Sequence, residues 1–187
     1  MNIPSRKECF RLIKEMKMMD HIVDHSIMVS NVALFLSQKL KKHSPTLNTQ
    51  LTTSAALLHD ITKTRSFKTR EIHSETGAII LTRMGYPEVG EIIRQHVVLD
   101  VYTLDTPVTE PEIVNYADKR ILHNKVVSLD QRMEYILMRY CTENRFKARF
   151  QIMRDNTVKL EQKIFTHLDI SPDQLADCIL QTIQRTD

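Results

Sequence analysis

The chain has 187 residues, 42% hydrophobic and 26% charged, which is the length of one domain with enough apolar material for a core. Its 3 glycines leave no G-x-G-x-x-G or G-x-x-x-x-G-K-[ST] phosphate cradle and disfavour an all-β fold of many tight turns, whereas 8 histidines are many for this length. Lysine plus arginine (26) against aspartate plus glutamate (23) makes a net charge of +3, too mild to imply nucleic acid.

Helical periodicity runs through nearly every segment, and the prolines stand where helices start or stop. A first helix is expected from Pro4 to Met19. A second runs from Asp24 to Lys42, with Val29, Val32, Leu36 and Leu40 on one stripe. A third spans Asn48 to Ile61. The polar stretch Thr62–Arg70 reads as a loop. Helices follow at Ile72–Met84, Pro87–Val97 and Glu110–Leu122. Segment Ser128–Leu168 repeats apolar residues at Met133, Ile136, Tyr140, Phe146, Phe150, Met153, Leu160 and Ile164. It is one long helix or two broken near Glu143-Asn144. Ser171-Pro172-Asp173-Gln174 has the form of a capping box and opens a last helix ending near Arg185. The fold class is all-α. The whole chain, 1–187, reads as a single domain: a core of about 20–125 with the helices of 126–187 packed on it.

No apolar run reaches the roughly 18 residues of a membrane span. Cys9, Cys141 and Cys178 are scattered, without C-x-x-C spacing. A cytoplasmic protein is expected, with no membrane partner.

Six ionisable residues break the apolar stripes. His25 lies four residues before Val29 on the second helix. His59 and Asp60 interrupt the run Ala55-Ala56-Leu57-Leu58 before Ile61. His73 shares a face with Gly77, Ile80 and Met84. His96 shares one with Val89, Ile92 and Ile93. Asp118 falls on the stripe of Val114 and Ile121. Taken singly, His25, His73 or His96 reads as a hydrogen-bonded core residue, His59-Asp60 as a common dipeptide, and Asp118 as a partner of Lys119, Arg120 or a histidine. Taken together, two inward carboxylates and four inward imidazoles call for a compensating positive charge, which a metal ion supplies. His21, His43, His123 and His167 read as bystanders. Gly77 either permits close helix packing or clears space beside His73.

In this order, His25, His59-Asp60, His73, His96 and Asp118 resemble the H…HD…H…H…D signature of the HD-domain superfamily of metal-dependent phosphohydrolases. The contexts support it. His59-Asp60-Ile61-Thr62-Lys63 is similar to the H-D-x-x-K form of the HDIG-type subgroup, with Thr62 where that subgroup has glycine. His73-Ser74-Glu75-Thr76-Gly77-Ala78 resembles the H-x-x-x-G-A stretch of small bacterial members. Asn115-Tyr116-Ala117-Asp118-Lys119 resembles their A-D-K motif.

The resemblance covers about Asp24 to Arg120 and implies an all-α bundle around a binuclear centre. By resemblance His25, His59, Asp60 and Asp118 hold one metal, and Asp60 bridges to a second held by His73 and His96. Lys63 stands where the mononuclear branch has a water-activating glutamate, which agrees with two metals. Divalent Fe, Mn, Co or Zn suits the donor set. A metal-bridging hydroxide would attack the phosphorus of a small phosphorylated, nucleotide-like substrate, a monoester or a diester. Asp60 and Lys63 are the candidate catalytic residues. Lys63, Lys119 and Arg120 are the candidate substrate contacts, with Arg65, Lys68 and Arg70 as further cations. The same ligands would also serve a di-iron oxygenase, and the fold would serve a non-catalytic nucleotide-binding module. A homodimer is compatible with the sequence.

Overall fold

The computed structural model describes residues 1–140 and 144–184. The first helix, α1 (Arg6–Glu15), begins at Ser5, whose side chain accepts the Glu8 amide. It ends before the expected Met19, because Lys17 takes a left-handed conformation with φ 52°. The next helix, α2 (Asp20–Leu40), starts before the expected Asp24. Asn48 caps α3 (Thr49–Leu58) by accepting the Leu51 amide at 3.0 Å. Leu51, Ala55, Ala56, Leu57 and Leu58 are all buried, so α3 is a central helix. It packs on α1 and α2 and on two later helices, α6 (Pro87–Arg94) and α7 (Glu110–Asp118).

The expected loop Thr62–Arg70 is instead mostly helix, α4 (Lys63–Thr69), stopped by Arg70 at φ 59°. None of its residues is buried, so no apolar stripe announces it. Helix α5 (His73–Arg83) then lies along α6. The approach is close. A Cβ on Gly90 would stand 2.8 Å from the Ala78 carbonyl oxygen, and one on Gly77 3.1 Å from Ile93 Cδ1. Gly77 therefore serves close packing. Helix α6 stops at Arg94, short of the expected Val97. A capping box between Thr109 and Glu112 starts α7.

The chain does not stay helical to Leu122 as expected. It turns into a short antiparallel hairpin, β1 (Ile121–Leu122) and β2 (Lys125–Val126), with His123 left-handed at φ 57°. Then come α8 (Leu129–Tyr140) and α9 (Asn144–Phe165), so the second of the two expectations for this segment holds. The two helices face each other through Leu129, Met133 and Phe150, and Arg154 reaches back to Asp130. Leu160 and Ile164 join the main core. Lys163 of α9 forms a buried ion pair with Glu112 of α7 at 2.6 Å. The Ser171 capping box first makes a 3-10 turn, Pro172–Gln174, before α10 (Leu175–Gln184) docks through Leu175 and Ile179. The expectations for Cys141, Glu143, the Tyr140 and Phe146 side chains, and a helix end near Arg185 lie outside the described residues. Among the described residues no helix is long and apolar enough to cross a membrane.

Candidate metal centre

Two histidines, His59 and His96, are oriented by the same local device, and His25 by a carbonyl distant in sequence. A helix end leaves carbonyl groups without intrahelical partners. At the end of α3, His59 Nδ1 donates to the Ala56 carbonyl at 2.7 Å. At the end of α6, His96 Nδ1 donates to the Ile93 carbonyl at 2.6 Å. In α2, His25 Nδ1 donates to the His123 carbonyl of the hairpin turn at 2.9 Å. Each bond places the proton on Nδ1 of the neutral ring and turns Nε2, with its lone pair, toward one point.

The Nε2 atoms meet two carboxylates there. His25 Nε2 lies 3.0 Å from Asp118 Oδ1, and His59 Nε2 lies 3.7 Å from the same oxygen. The two oxygens of Asp60 face different histidines. Oδ2 is 3.4 Å from His59 Nε2, whereas Oδ1 is 3.1 Å from His73 Nε2 and 3.6 Å from His96 Nε2. His73 and His96 bring their Nε2 atoms within 3.1 Å of each other. All six residues singled out in the sequence thus converge. Two triads that share His59, namely His25–His59–Asp118 and His59–Asp60–His96, hold their ligand atoms within 4.8 Å of one another.

The donor set fits a cation. His59 Nε2 and Asp60 Oδ1 are buried without a hydrogen-bond partner. Buried lone pairs without a donor are costly, and one divalent ion set among them satisfies several at once. Charge is balanced unevenly. Burial disfavours ionisation of Asp60, but His59 and Lys63 outweigh it and hold the carboxyl well below its usual range. Burial likewise opposes the charge on Asp118, and His25, Lys119 and Arg132 overcome it. Burial lowers His96 to about 4, so this ring is neutral at pH 7. Burial works against a charge on His59 too, but Asp60 and Asp118 raise its pKa in net.

The predicted cations separate. Lys63 Nζ donates to Asp60 Oδ2 at 2.9 Å and its side chain is 31% exposed, so it stands at the edge of the centre. Lys119 is buried and donates to the carbonyls of His96 at 2.8 Å and Asn115 at 3.2 Å. Its burial lowers the amine to about 8. Arg120 is not brought to the centre. It donates to the carbonyls of Val127 and Pro172, the Tyr116 hydroxyl and Glu161, and so fastens α9 and the Pro172 turn to α7. Arg65 is held by Glu71 on the surface, and Lys68 and Arg70 are exposed.

Sequence reasoning missed three groups. Asn115 Nδ2 donates to the carbonyls of Gln95 and His96, both at 3.0 Å, and fixes the turn that carries His96. Thr62 Oγ1 does the same for His73. Arg132 of α8 brings Nη2 to 3.8 Å from Asp118 Oδ1. Asn115 had a signal, a polar residue between Val114 and Tyr116 in a buried helix. Arg132 had none, because its place depends on how α8 folds back.

A model of the HD domain family matches residues 22–128, more than half of the chain and all six converging residues. No curated protein and no solved structure matches the chain.

Proposed function

The chain belongs to the HD-domain family, which supports membership of a metal-dependent phosphohydrolase superfamily, and from that premise we propose that it hydrolyses a small, nucleotide-like phosphate ester. The observation that carries this reading is the pair of partnerless buried acceptors, His59 Nε2 and Asp60 Oδ1, at the meeting point of four imidazoles and two carboxylates. His25, His59, Asp60 and Asp118 would hold one divalent transition metal, and Asp60, His73 and His96 a second. Bound there, the cations would supply Lewis-acid charge to the phosphoryl group and acidify water.

The protein's own groups do the rest. Asp60 presents one oxygen to each set of histidines and is fixed by Lys63. The Lys63 ammonium is placed to neutralise a phosphate oxygen as charge develops, since it is partly exposed beside the buried carboxylate. Lys119 acts as a positioning residue through the His96 carbonyl. The exposed apolar residues Ile72 and Val97 directly precede and follow the ligands His73 and His96, and offer a surface for the organic part of the substrate.

Elemental analysis of the purified protein, followed by anaerobic hydrolysis of p-nitrophenyl phosphate and a nucleotide panel, tests the reading. Two divalent metals per chain with anaerobic turnover is the expected result. Oxygen uptake on a polyol or phosphonate without hydrolysis overturns it in favour of a di-iron oxygenase. Nucleotide binding with full metal and no turnover overturns it in favour of a binding module.

A further inference from the structure

Arg132 lies on α8, beyond residues 22–128 that match the family. Its Nη2 is 3.8 Å from Asp118 Oδ1, close enough for attraction but too far for a hydrogen bond. Its Nε is buried and has no hydrogen-bond partner. The side chain is only 13% exposed, so bulk water reaches little of it. The guanidinium stays charged at any ordinary pH, and its N–H groups can only donate.

The sign of this unmet demand separates it from the metal centre. His59 Nε2 and Asp60 Oδ1 are acceptors and call for a cation. Arg132 Nε is a donor and calls for an acceptor, best an anionic one. The residue is also held in place. Its guanidinium lies 5.8 Å from the centre of the Tyr135 ring, a cation–π contact. Tyr135 stands edge-on to His123 at 5.7 Å, and the His123 carbonyl accepts from His25. The other cations at this end are committed elsewhere, Lys119 to two backbone carbonyls and Arg120 to the C-terminal helices.

We propose that Arg132 is a substrate-binding residue that takes a phosphate oxygen at the Asp118 end of the centre, opposite Lys63 at the Asp60 end. This rests on the hydrolase reading above. It gives the segment after residue 128 a part in the site: α8 folds back to bring a planar donor fork to the phosphoryl group. The fork suits two oxygens of one phosphate, which an ammonium cannot match.

The test titrates the metal-loaded protein with inorganic phosphate by calorimetry, and as a competitive inhibitor of p-nitrophenyl phosphate hydrolysis. Arg132→Ala and Arg132→Gln are expected to keep the wild-type metal content, to bind phosphate at least about tenfold more weakly, and to raise KM more than they lower kcat. Unchanged phosphate affinity overturns the proposal. Loss of metal in both variants also overturns it, since Arg132 would then act only by positioning Asp118. If those variants do not fold, Arg132→Lys keeps the charge without the fork. A severalfold weaker phosphate affinity is then expected, and wild-type affinity overturns the assignment. Failure of the hydrolase reading looks different, because the metal-loaded wild type itself would neither bind phosphate nor turn over.

Discussion

Thr62 donates its hydroxyl to the main-chain carbonyl of His73 at 2.7 Å. The bond spans the whole of α4 and ties the turn after His59-Asp60 to the first residue of α5. Thr62 is buried, and it stands where the resembled H-D-I-G form has a glycine that could not make this bond. Groups that orient a ligand commonly alter metal affinity by about 10–100-fold when removed. Thr62→Val is therefore expected to weaken metal binding at the His73–His96 side about tenfold or more, while Thr62→Ser retains it. Competition of each variant with a calibrated chelator measures the difference.

His59 and Asp60 serve both triads or both histidine groups, so their loss is not compensated by a neighbour. His59→Ala and Asp60→Asn should each lose bound metal and reduce turnover by at least about 100-fold. Elemental analysis and an aryl-phosphate assay on the same samples check this. Chelation of the wild type should abolish turnover, and adding back Mn, Fe, Co or Zn singly should restore it.

Acid should destabilise the metal-free protein. Burial lowers His96 from 6.5 to about 4, so between those values the unfolded chain binds a proton that the folded chain refuses. Stability from this group is thus full above about pH 6.5 and is lost as pH falls through 4, by an amount on the order of 3 kcal/mol. Asp60 and Asp118, whose carboxyls are held low, act with the same sign, and stability is lost as they take up protons in more acidic solution. His59 acts with the opposite sign, because its pKa is raised. Thermal melts of chelated protein at pH 7, 5 and 4 should show a falling Tm, and His96→Asn should flatten the drop between 7 and 5.

Arg120 should behave as a structural residue. It is buried, 3.1 Å from Glu161, and donates to Tyr116 and two carbonyls. Removing one partner of a fully buried pair costs about 3–5 kcal/mol, an upper bound here because the Glu161 side chain is 19% exposed. Arg120→Met is expected to lower denaturant stability by up to that amount with metal content intact and little change in KM. Urea unfolding and steady-state kinetics separate the two effects.

Much of the site was legible in the sequence. His25, His59, Asp60, His73, His96 and Asp118 stood out because each places an ionisable group on an otherwise apolar stripe, and burying charge without a partner is costly. The helices with a strong stripe or a cap were legible for the same local reasons, from the Val29–Leu40 stripe of α2 to the Ser171–Gln174 box before α10. Helix α4 was not, since it buries nothing and periodicity reports burial. The hairpin at Ile121–Val126 was hidden because only the left-handed turn at His123, not a glycine, marks it.

The sequence alone determined which residues must find a compensating charge and that the chain is helical, for both follow from local pattern. The tertiary structure decided where the lone pairs point and which cations reach them. The Ala56, Ile93 and His123 carbonyls set the histidine tautomers. The folding back of α8 sends Arg132 to Asp118, while contacts with Glu161 and Pro172 draw Arg120 away. Adjacent in the turn that ends α7, Lys119 and Arg120 part because their side chains leave the chain toward different neighbours, and those neighbours exist only once the bundle has closed.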